Sequence, residues 1–302
     1  MIIINKLITL FPILFYPFIN IVFLFLLGFG LTFLILPKSL RSFWLWLSPW
    51  TTIITAIFYF VVMSLFGLSM KQTFGPYITI CLVAGIYVLV KIKPTININK
   101  KEDFALIILV GLTLVLNLSP LIRRDKMLTS ISMGNNDIIV YVATGDYLKD
   151  HSIRESFKTK VELTIGTLLQ GGYRWGTPII NSFFLTLLNL QGYQYTYVSQ
   201  VVLFSIFLPL LYILFKILFG RSNMAGLIIV GIFTGFNANL LYMLYHDFFG
   251  QILFWGIEIL IFIFFYNYFD SPKIKINKFN IYDFILGILI TILFFSYHEP
   301  AV

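Results

Sequence analysis

The sequence predicts an all-α integral membrane protein, a polytopic transmembrane helical bundle of about eight spans with one large, partly helical extracytoplasmic loop. Three observations predict this class. Hydrophobic residues make up 59% of the 302 residues and charged residues only 11%, and the mean hydropathy is +0.92. The apolar residues also cluster in runs of roughly the 20 residues that a helix needs to cross a bilayer. This composition excludes an ordinary soluble domain.

Eight apolar segments qualify as spans, namely 10–36, 45–67, 74–92, 104–122, 195–219, 224–244, 248–268 and 282–298. Each must be helical, because an isolated strand would leave its backbone polar groups unsatisfied in lipid. They divide the chain into a membrane module of four spans (1–122), a loop (123–194) and a second module of four spans (195–302), which we expect to be truncated. Pro12 and Pro17 are expected to kink or break the outer end of the first span.

The distribution of Lys and Arg predicts the orientation. One set of short loops holds eleven basic residues, and these are Lys38, Arg41, Lys91, Lys93, Lys100, Lys101, Lys216, Arg221, Lys273, Lys275 and Lys278. The opposite set holds only Lys6 and Lys71. Basic short loops stay in the cytoplasm, so the N-terminus and the long loop are predicted to be extracytoplasmic, in a cell membrane. The net charge of +8 therefore orients helices and does not indicate nucleic-acid binding.

Four polar stretches then share the extracytoplasmic side. They are the loop that begins SMGNND, GGYRWGTP at 171–178, LYHDFFGQ at 244–251 and YHEP at 297–300. The candidate binding residues in these stretches are Tyr141, Tyr173, Arg174, His246, Asp247, Gln251, His298 and Glu299. For His246 an interfacial histidine satisfied by backbone or water is the alternative interpretation.

The loop contains a predicted helix that starts at Asp137 and lies at the membrane surface. Ile138, Tyr141 and Leu148 follow a helical stripe, and Asp137 lies four residues before Tyr141 on the same face. A carboxylate and a phenol could therefore point into one pocket, although Asp137 could equally cap the helix. The other charged residues of the loop are expected to form mostly solvated pairs, and they include Asp146, Asp150, Glu155, Lys149, Arg154 and Lys158.

The stretch GGYRWGTP predicts a second short helix over about 178–190. Thr177 and Pro178 suit its N-cap and first turn. Arg174, flanked by Tyr173 and Trp175, could bind a phosphate through paired hydrogen bonds. The alternative is that these residues form an interfacial anchor, since arginine and aromatic residues gather there in any case.

The order GNNDIIVYVATGDYLKDHSI, then YRWGTP opening a short helix, then a span closed by KILFGR, resembles the first outer loop of GT-C type membrane glycosyltransferases and their bacterial relatives. The passage ILPKSLRSFWLWLSP at 35–49 is similar to their N-terminal portion. In many of those proteins the acidic loop follows the first span, whereas here it follows the fourth.

The resemblance implies transfer of a sugar from a polyprenyl-phosphate-linked donor to a cell-envelope acceptor. Asp137 and Tyr141 match the family's D-x-x-x-Y pattern, which implies that Asp137 is the catalytic base. Arg174 would be a phosphate partner. Membrane lipids are the other expected partners, and the sequence identifies no protein partner.

Cofactor and function alternatives stay open at this stage. A divalent cation held by Asp137, His298 and Glu299 is one possibility, but no metal site is predicted, because the histidines lack zinc spacing and HExxH is absent. Glu258, roughly 15 Å deep in its span, would suit a membrane transporter. A polysaccharide polymerase or ligase-like protein, or a structural membrane protein, are further alternatives.

Overall fold

The computed structural model describes residues 2–94, 100–124, 137–158, 163–170, 174–220, 224–235, 237–246, 248–269 and 281–296. Within these ranges the protein is helical and contains no β-strand, which confirms the predicted all-α class. The helices are α1 (Ile2–Ile35), α2 (Trp44–Leu65), α3 (Met70–Tyr87), α4 (Lys100–Asn117), α5 (Ser119–Arg124), α6 (Asp137–Asp150), α7 (Ile153–Ser156), α8 (Leu163–Gln170), α9 (Gly176–Leu188), α10 (Gly192–Phe219), α11 (Met224–Gly235), α12 (Ala238–Tyr245), α13 (Phe249–Phe269) and α14 (Ile281–Ser296).

Five helical segments in the described part of the chain are long and apolar enough to cross a membrane. They are Leu10–Ile35, Lys38–Leu65, Met70–Ile92, Gly192–Phe219 and Phe249–Asn267. A 3₁₀ turn at Lys38–Phe43 leads into α2, and a π-helical turn at Val88–Ile92 extends α3. These five segments coincide with five of the predicted spans and support a membrane protein.

The other three predicted spans are shorter or interrupted. Helix α4 opens with the charged residues KKED, and α14 has only 16 residues, or about 24 Å at 1.5 Å per residue. The segment 224–244 is divided into α11 and α12, because the Asn237 side chain accepts hydrogen bonds from the backbone N–H groups of Asn239 and Leu240 and caps a new helix. The count of about eight spans therefore stays a prediction.

The first span, which was expected to be kinked or broken at its outer end, is not broken. Helix α1 runs continuously from Ile2 to Ile35 with Pro12 and Pro17 inside it. Proline is tolerated within membrane helices, because neighbouring groups compensate for the backbone hydrogen bond that it cannot make.

Trp50 joins three helices in the core. It is fully buried on α2, its indole N–H donates to the Ile206 carbonyl of α10 at 3.0 Å, and its ring lies directly against Gly256 of α13. Only a residue without a Cβ leaves room for the indole there. The aromatic ring therefore sets the spacing of α2, α10 and α13.

Two groups of contacts mark opposite ends of the bundle. At one end, Trp46 near the start of α2 donates to Asp103 near the start of α4 at 2.7 Å. Lys216, near the end of α10, donates to Glu102 at 2.7 Å. We call this the basic end, because the Lys- and Arg-rich loops that adjoin these three helix termini belong to one predicted side of the membrane.

The opposite end carries the helices of the long loop, and we call it the loop end. The backbone N–H of Ile153 in α7 donates to the Ser64 hydroxyl near the end of α2 at 2.6 Å. Lys71, at the start of α3, pairs with Asp150 at the end of α6 at 2.6 Å. The structure thus places the helix termini that adjoin the two predicted loop sets at opposite ends of α2. The compartment that each end faces stays a prediction.

Glycine contacts permit close packing of α1 on its neighbours. Gly28 lies against the Ser48 backbone of α2, and Gly30 against the Gly85 backbone of α3. Small residues let membrane helices approach closely, which compensates for the weak hydrophobic drive between helices in lipid.

Gly28→Ala is expected to lower the free energy of unfolding by about 3 kcal/mol, because its methyl group would overlap the Ser48 carbonyl and force α1 away from α2. Denaturant unfolding of the purified protein measures the change. The matched control is Gly111→Ala on α4, where the new methyl group meets open space and helix propensity raises stability by up to about 1 kcal/mol. Equal stabilities for the two variants would contradict this packing.

Candidate functional site

Helices α6 and α9 pack side by side and run parallel. The Asn181 amide of α9 donates to the Tyr141 carbonyl of α6 at 2.9 Å. One turn further along α6, a Cβ on Gly145 would lie 2.5 Å from the same amide nitrogen. At the loop end, Lys149 donates to the Leu190 carbonyl just beyond α9 at 2.7 Å. The contacts advance in the same direction along both helices. The first residue of α6, Asp137, and the first residue of α9, Gly176, therefore lie at the same level.

Helix α9 begins inside the bundle and ends at the loop end. The Phe183 ring lies 6.0 Å from the rings of both Phe60 and Tyr77, which are about one and two turns inside the loop ends of α2 and α3. Gly176 begins α9 seven residues earlier, which places it about 10 Å deeper along the helix axis. The starts of α6 and α9 are therefore recessed within the bundle.

Tyr141 belongs to the packed core. Tyr141 is 2% exposed, and its ring packs edge-to-face on the Phe249 ring, with the ring centroids 5.8 Å apart. The Tyr141 ring packs α6 against the first residue of α13, and the predicted pocket shared by the Tyr141 phenol and the Asp137 carboxylate stays a prediction. The helix itself begins at Asp137 as predicted, and the Asp137 side chain lies outside the described residues.

The start of α9 is attached to the end of α14. The Trp175 indole N–H donates to the Leu169 carbonyl at 2.8 Å, and the Trp175 ring stacks on Phe295 at 5.4 Å. A Cβ on Gly176 would lie 2.5 Å from the Ser296 hydroxyl. Trp175 is thus a buried packing residue, and the alternative of an interfacial anchor stays untested.

Helix α9 begins at Gly176, two residues before the predicted start, so Thr177 is not its N-cap. The Thr177 hydroxyl instead donates to the Ser296 carbonyl at 3.4 Å. Arg174, partly exposed, precedes the helix in a left-handed conformation with φ of 63°. This backbone turn redirects the chain immediately before it enters α9.

His246 lies in an aromatic stack at the turn between α12 and α13. Its ring stacks on Tyr242 at a centroid distance of 4.0 Å and on Phe248 at 6.3 Å. Gln251, in the first turn of α13, donates its backbone N–H to the Phe248 carbonyl at 3.1 Å. Since Phe249 touches Tyr141, this turn lies beside α6.

Four helix termini that carry predicted site residues therefore come together: the starts of α6, α9 and α13 and the end of α14. The other predicted residues of this group, Tyr173, Asp247, His298 and Glu299, lie outside the described residues. Whether their side chains converge on one cavity stays a prediction.

A buried polar network that the sequence interpretation missed holds α6, α9 and α10 together. Both carboxylate oxygens of Asp146 accept the backbone N–H of Gly192, the first residue of α10, at 2.8 and 2.9 Å. Lys149, which is 3% exposed, lies 3.8 Å from Asp146. The expectation of solvated pairs is wrong for these two residues, whereas Asp150 and Glu155 do form exposed pairs with Lys71 and His151.

The centre of the network is Asn181. Besides the Tyr141 carbonyl, its amide donates to the Thr196 hydroxyl at 3.0 Å, and its carbonyl oxygen accepts from Ser199 at 3.3 Å. Both hydroxyl groups belong to α10. A fully satisfied amide in the interior fixes the relative positions of three helices, since leaving it unpaired would be costly.

Burial raises the pKa of the Asp146 carboxyl above its ordinary value of 3.8, and the Gly192 N–H and the Lys149 ammonium partly oppose this shift. The cause is the loss of water around a half-buried carboxylate. Ionisation of Asp146 therefore acts against the folded state.

Among the described residues no group of three or more His, Cys, Asp or Glu side chains could hold a metal ion. His298 and Glu299 lie outside those residues, so the alternative of a divalent cation stays untested. In the comparisons with known proteins, no family model, curated protein or solved structure matches the chain.

The raised pKa of Asp146 predicts a pH dependence of stability. A carboxyl whose folded pKa exceeds its unfolded pKa stabilises the fold at low pH, and this contribution is lost as the pH rises through the folded pKa. Asp146→Asn keeps an acceptor for the Gly192 N–H and removes the titration. The wild-type unfolding temperature is expected to fall relative to the variant as the pH rises from about 4, measured by thermal unfolding in detergent across a pH series.

Asp150→Asn is the charge-matched control, because it removes one carboxylate from an exposed pair at the end of the same helix. The pH profile of the Asp146 variant must differ from that of this control. Parallel profiles for the wild-type protein and the Asp146 variant would contradict the assignment of a destabilising buried carboxylate.

Proposed function

We propose that the protein is an integral membrane glycosyltransferase. It moves a sugar from a polyprenyl-phosphate-linked donor to a cell-envelope acceptor on the extracytoplasmic face. The observation that carries the proposal is that four helix termini meet inside the bundle, towards the loop end. Each terminus adjoins one of four polar stretches, namely D-x-x-x-Y, YRWGTP, YHDFFGQ and YHEP. A substrate carried by a membrane lipid would have to reach these termini from the bilayer.

In the proposed mechanism Asp137 takes the proton from an acceptor hydroxyl as its oxygen attacks the anomeric carbon of the donor sugar. The bond between this carbon and the lipid phosphate breaks, and the phosphate leaves with the bonding electrons. The Arg174 guanidinium pairs with that phosphate. A site partly shielded from water strengthens both effects, because charges interact more strongly at low dielectric.

The remaining predicted residues have supporting roles in this proposal. Tyr173, Asp247, His298 and Glu299 would contact the sugar or the acceptor, together with His246 and Gln251. Tyr141 keeps its predicted place in the binding site, and its buried ring against Phe249 also supports the positions of α6 and α13. We also propose the finer topology of about eight spans, with the N-terminus and the 123–194 loop outside the cell.

Glu258 distinguishes this proposal from a transporter. A transport path would pass through the bundle interior, with acids facing it. Glu258 shares one stripe of α13 with Trp255 and Phe262, which are 40% and 54% exposed, while Gly256 and Ile257 face the core. Glu258 itself is half-buried on this outer stripe, which supports the glycosyltransferase over the transporter.

Asp137→Asn is expected to lower sugar transfer by a factor of about 10² to 10⁴, since the base is removed while its size is kept. Transfer is measured in membrane vesicles with radiolabelled polyprenyl-phosphate-linked hexose and pentose donors. Glu258→Gln serves as the control and should retain wild-type transfer. Full activity in the Asp137 variant, with an unchanged unfolding temperature, would overturn the proposed role of Asp137.

Reporter fusions test the proposed orientation. Alkaline phosphatase fused after residue 160 should be active, because it folds outside the cytoplasm, and a fluorescent protein at the same position should be dark. Fusions after residue 97, in the basic loop before α4, should give the reverse pattern. Fluorescence after residue 160 would place the loop in the cytoplasm and remove the basis for extracytoplasmic transfer.

A further inference from the structure

An apolar groove lies between α1, α2, α13 and α14, and we call it the lateral groove. Its volume is about 220 Å³. Its floor consists of buried apolar side chains, which are Leu47, Leu260, Ile285 and Leu289. Its rim consists of Leu34, Phe58 and Phe284, which are 40%, 43% and 54% exposed. Because the rim is exposed, the groove opens at the side of the bundle.

The lateral groove offers a ligand no free polar side chain. The hydroxyls of its two threonines donate to backbone carbonyls of α2, Thr51 to Leu47 at 2.9 Å and Thr55 to Thr51 at 2.7 Å. The other lining side chains are apolar. An empty apolar groove loses dispersion contacts along its walls, and water gains no hydrogen bonds there. A hydrocarbon chain is therefore the favoured occupant.

The length of the lateral groove matches the depth of one lipid leaflet. Its lining follows α2 from Leu47 to Phe58, a rise of about 16 Å. The hydrocarbon core of one leaflet is about 15 Å thick, half of the roughly 30 Å of a bilayer. Leu47 lies in the first turn of α2, at the basic end. A chain in the groove would therefore belong to the leaflet on that side.

Two cations lie at the basic end of the lateral groove. Leu36 lines the groove, and its carbonyl accepts a hydrogen bond from Nε of Arg41 at 3.2 Å. Lys38, two residues after Leu36, is exposed, and Arg41 is half-buried. No Asp or Glu among the described residues forms an ion pair with either side chain. The Lys38 ammonium and the terminal amino groups of Arg41 can therefore bind an anion.

We propose that the lateral groove binds one acyl chain of an anionic phospholipid, whose phosphate pairs with Arg41 and Lys38. The apolar lining selects the chain. The two cations select the headgroup, because they attract a lipid of net negative charge more strongly than a zwitterionic one. A guanidinium also binds phosphate oxygens through paired hydrogen bonds. This inference is independent of the proposed transfer reaction, since it involves neither Asp137 nor Arg174.

The test is lipid retention by the full chain, purified from vesicles with equal amounts of phosphatidylglycerol, phosphatidylethanolamine and phosphatidylcholine and analysed by native mass spectrometry. Phosphatidylglycerol should be retained on the order of tenfold over either zwitterionic lipid. Equal retention of the three lipids would overturn the proposal. So would a dimer without bound lipid, because a second copy of the chain would then cover the groove.

A combined variant, Lys38→Gln with Arg41→Gln, tests the headgroup contact. It should lower phosphatidylglycerol retention to about the level of phosphatidylcholine. The matched control is Lys100→Gln with Lys101→Gln, which removes two exposed lysines at the start of α4, a helix that does not line the groove. This control should keep the wild-type preference.

An equal loss of preference in the two combined variants would indicate general attraction to the basic end and would contradict the assigned site. A full preference in the variant of Lys38 and Arg41 would do the same. If that variant does not fold, Lys38→Gln alone decides, because Lys38 is exposed. Its unchanged preference would count against the site.

Ile288→Trp tests the acyl-chain contact, because the indole would fill part of the groove that Ile288 lines. Phosphatidylglycerol retention should fall several-fold. The control is Ile290→Trp on the same helix, where the residue is 46% exposed and lies outside the lining. Equal retention by the two variants would reject the groove as the binding site. If Ile288→Trp does not fold, Ile54→Phe on the α2 wall replaces it, and full retention there has the same meaning.

Discussion

The hydrogen bonds of Asn181 are the interaction on which the candidate site depends. In a bundle largely closed to water, a buried amide must find its partners within the chain. Asn181 joins the Tyr141 carbonyl to the Thr196 and Ser199 hydroxyls and so holds α6, α9 and α10 in one register. Apolar contacts alone would allow neighbouring helices to slide by a turn with little loss. The directional bonds therefore fix how deep the first residues of α6 and α9 lie in the bundle, and so the depth of the proposed site.

A second set of polar contacts restrains the other end of α6. Asp146 caps the first backbone N–H of α10, while Lys149 caps the carbonyl of Leu190 just after α9. These two side chains hold both sides of the short connection between α9 and α10. Together with the Asn181 bond to Tyr141, the bonds of Asp146 and Lys149 hold α6 at two levels along its axis. Two points of attachment restrict rotation of the helix as well as sliding. If substrate binds at the proposed site, helices held in this way would need little reorganisation to receive it.

Length and hydropathy were sufficient to predict the long membrane helices, because their apolar character is a local property of the sequence. The short elements depend on partners far along the chain. Thr177 precedes a proline and looks like an N-cap, yet its hydroxyl bonds to Ser296, 119 residues away. The sequence suggests that Lys149 is solvated, but its ammonium donates to the Leu190 carbonyl, 41 residues away. A single sequence contains no information about such pairs, so the helix at Asp137 was predictable and the burial of Tyr141 on it was not.

The separation of the two ends follows from the cost of moving charge through a bilayer. Lys216 and Glu102 pair across helices at the basic end, and Lys71 and Asp150 pair across helices at the loop end. Once the apolar segments are inserted, neither pair can exchange partners with the other, because a charge would have to cross the apolar interior. Lateral packing of the long helices then places each charged group among partners of its own side. Helices α6 and α9 are too polar or too short to insert by themselves, so they acquire their positions from the Asn181 and Asp146 contacts after that frame exists. The geometry of the proposed site therefore depends on polar bonds that the apolar frame encloses.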